Sequence, residues 1–559
     1  MFQPRSDEQD YAWVPQAGHP ETNRYGQPIE TVPDGHELRG KSLNINGDSG
    51  IGDNPNRYKQ HGFYFNADNC IACHACESAC SEKNGLPAHL AFRAVGYVEG
   101  GTYPDFRRMN ISMACNHCDE PVCLKGCPTR AYTKFAEYGA VLQDPDICFG
   151  CGYCTWVCPY NAPQLDPVKG QVSKCNMCVD RLEVGLKPAC VSACLAGALD
   201  FGIIETKPEN REQLEAHIPG FPTPEITHPN IRFQQAKSLP REMTRTDAMP
   251  LKYVKNEDGL YRSELDKRDN AKHWNLAKLR SREDPLVIFT LATQLVVGAF
   301  LALFLGSRLG MAELSPAAHP LAHAIFLVTL LGVETFALAL STLHLGKPHR
   351  FYRAFNNLKH SPVSREVAGV AVFYNALGGY TLFAALPELF GWLPQGLVHG
   401  LGQFFGVAAC IAGPAAIWFM HRIYRIPARP FWNHWQVLNS FYGSMLTLGA
   451  LSVGLVFGML SDDAAMLRVL AAFAATGLAL EGIGLAAHAR DLKTGVGEAQ
   501  AAHHLQTTTH GQAYLARNVL LAAGLLLALA MAAGFSHAAL WWMLAALLIP
   551  AALIGRALF

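Results

Sequence analysis

Sixteen of the chain's seventeen cysteines fall between Cys70 and Cys194, in four groups of four. The groups are Cys70, Cys73, Cys76 and Cys80; Cys115, Cys118, Cys123 and Cys127; Cys148, Cys151, Cys154 and Cys158; and Cys175, Cys178, Cys190 and Cys194. Each ends in C-x3-C, and proline follows Cys127 and Cys158. The third group, C-x2-C-x2-C-x3-C-P, has the ferredoxin spacing that wraps a [4Fe-4S] cluster and sends its last cysteine to a neighbouring cluster. Sixteen thiolates at four per cluster predict four [4Fe-4S] clusters. Other chemistries explain less. A disulfide framework belongs to short secreted chains. Zinc needs two C-x2-C pairs per site and leaves the third and fourth cysteine of a group unexplained.

At 559 residues the chain is long enough for several domains. Its 46 basic and 46 acidic residues balance, which gives no footing for a nucleic-acid partner. That average hides a division, because nearly all cysteine precedes residue 200 and long apolar runs dominate after residue 285. Four regions follow: an extended arm over 1–61, rich in Gly, Pro, Asn and Asp; a four-cluster ferredoxin-like domain over 62–206; a proline-dotted strap over 207–284 that contacts a partner; and a membrane anchor over 285–559. The first twenty residues have neither an apolar signal core nor a twin-arginine pair, so no export address is expected there. The expected fold class is an α+β bis-ferredoxin-like domain followed by an all-α eight-helix transmembrane bundle.

Eight apolar stretches of bilayer-spanning length lie at roughly 286–307, 321–343, 366–386, 397–420, 435–458, 465–487, 515–534 and 538–558. Backbone polar groups must be paired inside hydrocarbon, so these are helices. Lys272, Lys278, Arg280, Arg282, Lys347, Arg350, Arg353, Lys359, Arg365, Arg422, Arg425, Arg429, Arg490, Lys493, Arg517 and Arg556 fall on the side of the cluster domain, against Arg308 and Arg468 opposite. The positive-inside rule then predicts a multi-pass protein of the bacterial inner membrane with its cluster domain in the cytoplasm.

A series of one-electron centres fused to a membrane bundle acts as a wire, and the lipid-soluble carrier at its membrane end is a quinone. A non-redox structural tether is the rival reading. No haem is expected, because His319, His323, His344, His421, His434, His488 and His537 lie near the ends of the apolar runs rather than paired inside them. Quinone chemistry moves two protons with two electrons and needs a proton carrier beside the ring. His344, ending the second span, and Glu366, opening the third, are the candidates. Glu334 and Glu481 fall nearer mid-span, as a proton path or as protonated hydrogen-bonding groups. Cys410, alone in an apolar helix, reads as packing.

The runs ACNHCDEPVCLKGCPTRAY, ICFGCGYCTWVCPYNAPQ and KCNMCVDRLEVGLKPACVSAC resemble the electron-transfer subunit of the dimethyl sulfoxide reductase family. LVIFTLATQLVVGAF, STLHLGKPHRF, SREVAG and LIGRALF resemble the anchor subunit of the same complexes, so two subunits normally separate are fused here. The resemblance implies four [4Fe-4S] clusters between a quinone pool and a molybdopterin catalytic subunit, with the molybdenum pterin only in that partner. Ferredoxin cross-pairing within each half, and the family's nesting of one half in the other, give four ligand sets. These are Cys70, Cys73, Cys76 with Cys194; Cys175, Cys178, Cys190 with Cys80; Cys115, Cys118, Cys123 with Cys158; and Cys148, Cys151, Cys154 with Cys127. The family's quinol-site histidine and glutamate fall on His344 and Glu366. Two departures stand out: Leu195 replaces the usual proline after the last cysteine, and Ala551-Ala552 replace an acidic residue before the terminal I-G-R. A cytoplasmic cluster domain matches the membrane-bound sulfite dehydrogenases of the family, because its dimethyl sulfoxide reductases are usually exported. The expectation is therefore sulfite oxidation with quinone reduction, the alternative being quinol-dependent reduction of dimethyl sulfoxide or another S- or N-oxide.

Overall fold

A computed structural model describes residues 60–135, 137–183, 186–204, 218–234, 237–245, 250–266, 271–461, 463–535 and 537–559. The arm expected over 1–61 lies almost wholly outside these residues. The α+β cluster domain starts with β1 (His61–Asn66), an aromatic strand buried along nearly its whole length, as a strand with neighbours on both sides must be. Completing the cysteine region are β2 (Arg93–Gly100), β3 (Arg107–Ala114), β4 (Tyr132–Lys134), β5 (Val141–Gln143), β6 (Gln164–Asp166), β7 (Gln171–Ser173) and β8 (Leu199–Ile203). β1 pairs antiparallel with β8, so entry to and exit from the cysteine region lie side by side. Between them sit two small hairpins, β4–β5 and β6–β7, one after the second cysteine group and one after the third.

The strap differs from its sequence reading. Residues 205–217 lie outside the described part, but the segment beyond supplies β9 (Ile231–Gln234), β10 (Glu242–Arg245), β11 (Leu251–Lys255) and β12 (Tyr261–Leu265). β9 adds to β1 in parallel, and β10 to β12 extend the β2–β3 ribbon into a five-stranded sheet. The strap is thus built into the cluster domain. Its prolines fall between strands, where no ladder donor is lost.

Among the described residues, eight helices are long and apolar enough to cross a membrane: Asp284–Arg308, Pro320–Leu343, Pro362–Ala385, Gln395–Ile423, Gln436–Phe457, Ala464–Thr494, Gly511–Ala532 and Ala538–Ala557. The first and fifth are the most buried. They cross where Gly298 faces Gly449, and a Cβ on Gly298 would meet the Met445 carbonyl oxygen at 1.9 Å. Small residues let membrane helices pack backbone to backbone in this way. A short helix, Glu498–Thr507, joins the sixth and seventh spans and packs against β12.

The two halves interlock through the third cysteine group. Gly346, just past the second span, abuts Gly170, so a Cβ there would meet the Gly170 carbonyl oxygen at 2.2 Å. The Lys347 amide donates to the Phe149 carbonyl (3.0 Å). Tyr153 Oη donates to the Ile423 carbonyl (3.1 Å), Asn357 Nδ2 to the Cys127 carbonyl (2.7 Å) and Ser361 Oγ to the Gly126 carbonyl (2.7 Å). Arg350 and Arg353 donate to the Asp146 carbonyl, and Arg429 to those of Trp156 and Cys158. Part of the basic bias in the loops therefore belongs to docking. Gly346→Ala is expected to force the halves apart at a cost of about 1–3 kcal/mol for overpacking. A lower midpoint in thermal unfolding of the Gly346→Ala chain measures that cost.

Candidate functional site

None of the sixteen cysteines of the four groups is in a disulfide. Helices and turns with short connections bring them together across the sequence. Cys70 lies within electrostatic reach of Cys73 and Cys194, and Cys76 within reach of Cys194 and Cys190. Burial, then Cys190, Cys175 and Cys178, push the Cys80 thiol well above its ordinary value. Cys123 neighbours Cys115, Cys118 and Cys158, and Cys154 neighbours Cys151, Cys127 and Cys148. Among the described residues, no three His, Cys, Asp or Glu side chains close to single-ion range.

Three buried side chains missed by the spacing argument stand between successive quartets. Arg93 reaches Cys190, Cys76, Cys175 and Cys80, and donates to Ser112 Oγ (3.1 Å). Lys174 reaches Cys115, Cys123 and Cys175, with Nζ 3.4 Å from Cys115 Sγ. Tyr132 adjoins Cys154, Cys123 and Cys127. Together they order the quartets from the one containing Cys73 to the one containing Cys151. Burial opposes the charges of Arg93 and Lys174, and negative charge on the surrounding cysteine sulfurs outweighs it and favours their protonated forms. Buried cations need anionic partners, which cysteines in an iron–sulfur cluster supply and neutral thiols do not. The residues therefore fit the cofactor. Arg93→Met is expected to lower the potentials of the two flanking clusters. A unit charge roughly 7 Å away at an effective dielectric of about 20 is worth about 2 kcal/mol, or on the order of 100 mV for one electron, readable in a redox titration by electron paramagnetic resonance.

At the membrane end the quartet of Cys127, Cys148, Cys151 and Cys154 faces a cavity of about 280 Å³. Cys151, Tyr153 and Trp156 of the cluster domain line it together with His344, Glu366 and Tyr424 of the membrane half. The sequence nominated the histidine and the glutamate, and the structure brings both to this cavity. The aromatic members come from distant segments and carried no signal of their own. Glu366 does not open its helix: the third span starts at Pro362, capped by Ser361, which puts Glu366 a full turn inside and 8% exposed. The Ser-Pro pair is the start signal that locates this boundary. Among the described residues nothing hydrogen-bonds the Glu366 carboxyl group. His344 Nδ1 bonds the Ser341 carbonyl, so Nδ1 carries the hydrogen and Nε2 is left with its lone pair. Burial holds this imidazole down to about 4, with Arg282 adding to the effect, so it is neutral near pH 7. Glu334 and Glu481 lie elsewhere. Glu334 accepts from Thr293 Oγ1 (3.0 Å), and Glu481 lines a small polar cavity with Arg517 and Arg556.

Residues 280–559 match the family model of the DMSO reductase anchor subunit (DmsC), and residues 107–204 match a 4Fe-4S dicluster domain. The chain is 38% identical over 180 residues to an anaerobic dimethyl sulfoxide reductase polypeptide of Escherichia coli (strain K12), covering 31% of this chain and 87% of that one. It is 39% identical over 154 residues to a sulfite dehydrogenase polypeptide of Allochromatium vinosum, covering 24% of this chain and 64% of that one. Protein NrfC of Escherichia coli (strain K12) is 34% identical over 183 residues, 32% of this chain and 77% of its own length.

Proposed function

Because the chain belongs to the DMSO reductase family, as an iron–sulfur electron-transfer subunit fused to its membrane anchor, we propose that it links a molybdopterin catalytic subunit to quinone through four [4Fe-4S] clusters. The sixteen cysteines are the ligands, in the four sets given above, and His344 and Glu366 bind and protonate the quinone. One observation carries this reading: Cys151 lines the same cavity as His344 and Glu366. When bound, the clusters supply one-electron steps that add up to the two electrons a quinone takes. The chain's own residues do the rest. Tyr153, Trp156 and Tyr424 hold a flat ring beside the membrane-end quartet. His344 Nε2 accepts from the O–H at one oxygen of the reduced ring, and the Glu366 carboxyl group exchanges a proton at the other. Arg93 and Lys174 offset the charge of successive clusters. At the far end the exposed Ile71 and Leu195, 65% and 81% accessible, flank the quartet of the exposed Cys73 and offer the catalytic subunit an apolar face.

We favour sulfite oxidation, in which sulfite and water yield sulfate, two protons and two electrons that reduce the quinone. The support is the loop charge. Apart from the docking arginines and Lys347, the cluster side still carries Lys272, Lys278, Arg280, Lys359, Arg422, Arg425, Arg490 and Lys493 against Arg308 and Arg468, which favours a cytoplasmic cluster domain. Reporter fusions in the Glu388–Gln395 loop are expected to read as periplasmic, and a cytoplasmic signal there removes the preference for sulfite. The second reading, a quinol-dependent reductase of dimethyl sulfoxide or a similar oxide, draws on the greater coverage of the reductase relative, 87% of its length against 64% for the sulfite dehydrogenase relative. Sulfite-dependent reduction of decylubiquinone by the assembled complex decides between them.

A further inference from the structure

The cavity of His344 and Glu366 is covered by the cluster domain, so protons need a lateral way to water. A second cavity, of about 160 Å³, adjoins it and shares Trp156, Leu286, Thr290 and Tyr424 as a common wall. It leads past Glu283 to Ser281 and Asp284 at the start of the first span. Ser281 is exposed and the Asp284 side chain is 40% accessible, so this end meets solvent. Glu283 Oε2 is buried with no hydrogen-bond partner. Burial raises this carboxyl group's affinity for its proton, and Arg282 opposes the rise. Tyr424, in the dividing wall, lies within electrostatic reach of Glu366, Arg556 and Glu283. A chamber of this size holds several waters.

Deeper in the membrane half, aromatic rings pack tightly. Phe300 stacks on Phe304, both pack edge-on to Tyr380, and Phe300 meets Phe373. All four rings are buried, Tyr380 the most accessible at 4%. Glu334 lines neither cavity.

We propose that Glu283 is the proton-exchange carboxyl group of the quinone pocket, carrying protons between Glu366 and the water on the cluster-domain face. The proposal rests on the quinone reading of the pocket. In quinone reduction two electrons arrive one at a time from the cysteine side, and two O–H bonds form at the ring oxygens. For one of these, Glu366 gives its proton to the ring oxygen and regains it, through water in the second cavity, from Glu283. Glu283 is then reprotonated from bulk water beside Asp284. For the other O–H bond, His344 Nε2 takes up a proton from water and passes it to the ring oxygen, returning to its neutral form. Quinol oxidation runs the same transfers backwards. Glu283 is a positioning and relay residue, since it does not touch the ring.

The test uses the full iron-loaded chain in detergent, its clusters reduced with dithionite, freed of excess reductant and mixed with decylubiquinone in a stopped-flow spectrometer. Glu283→Gln is expected to slow reoxidation about 10- to 100-fold, at the lower end of what a lost proton carrier costs. Iron content and the decylubiquinone dissociation constant, read by tryptophan quenching, should stay unchanged. The solvent deuterium effect should rise, Glu283→Asp should recover part of the rate, and added formate should rescue Glu283→Gln but leave the parent unaffected. Parent-like reoxidation and isotope effect in Glu283→Gln overturn the proposal, as does slowing without formate rescue. If His344→Ala and Glu366→Ala impair the reaction and Glu283→Gln does not, this route alone falls. If none of the three has an effect, the pocket reading itself falls.

Discussion

Stripping iron from the purified chain is expected to unfold the soluble half while the eight membrane helices stay folded. One apolar core of that half, around Phe63, Phe201 and Met243, ties its outer strands together, and the inner part has little besides its cysteines. Two of its apolar clusters consist largely of the cysteines themselves with a few neighbours such as Leu124, Tyr132 and Ala162. Arg93 and Lys174 would lose the anionic sulfur around them, and a buried charge stripped of its partner costs about 3–5 kcal/mol. Two such losses approach or exceed the roughly 5–15 kcal/mol that typically holds a domain together. Metal binding and folding are coupled in such domains. The membrane half has its own core, centred on Val297, Phe300, Phe441 and Leu470, all fully buried. Limited proteolysis of the chelated protein should therefore release fragments from residues 60–265 and leave the region after residue 284 protected. Replacing Cys175 by serine should act in the same direction, because it removes a ligand close to Lys174 and Cys115 at the junction of two quartets.

The second large effect is expected at the pocket. Glu366→Gln keeps the shape of the side chain and removes its proton exchange, so decylubiquinone should still bind while cluster reoxidation slows by about two orders of magnitude or more. His344→Ala removes the acceptor of a quinol O–H, so decylubiquinol should bind about tenfold more weakly, the worth of one hydrogen bond near the upper end of the usual range. Because burial keeps His344 neutral down to about pH 4, binding should show no inflection near pH 6.5, where a free imidazole titrates. An inflection there would place the histidine in water and away from the ring. Both variants should retain the parent's iron content, since neither side chain is among the sulfur ligands.

Much of this architecture is legible in the sequence, for a physical reason. Cluster ligation fixes spacings within a few residues of each other, and bilayer thickness fixes helix length, so both leave local marks. The eight helices fall where the apolar runs predict them. What escapes depends on contacts between distant segments. Tyr153 and Tyr424 share a cavity across some 270 residues of chain. Arg93 and Lys174 look like ordinary surface cations until the fold buries them at 2% and 5% exposure. The strap hid a readable signal: LKYVK alternates buried and less buried residues with the period of a strand, although its prolines argued for an extended tether. The basic loops carried two meanings at once, because Arg350, Arg353 and Arg429 clamp cluster-domain carbonyls as well as marking a membrane face.

On the function proposed above, charge held among the sixteen cysteines passes to a lipid-soluble carrier at the cavity of Cys151, His344 and Glu366. Rapid-freeze electron paramagnetic resonance of the dithionite-reduced full chain, mixed with decylubiquinone, measures this directly. The predicted result is loss of the reduced [4Fe-4S] signals in the parent chain and their persistence in Glu366→Gln over the same interval. Signals that survive decylubiquinone in the parent chain, or a preparation whose cysteines hold zinc and give no such signals, would contradict it.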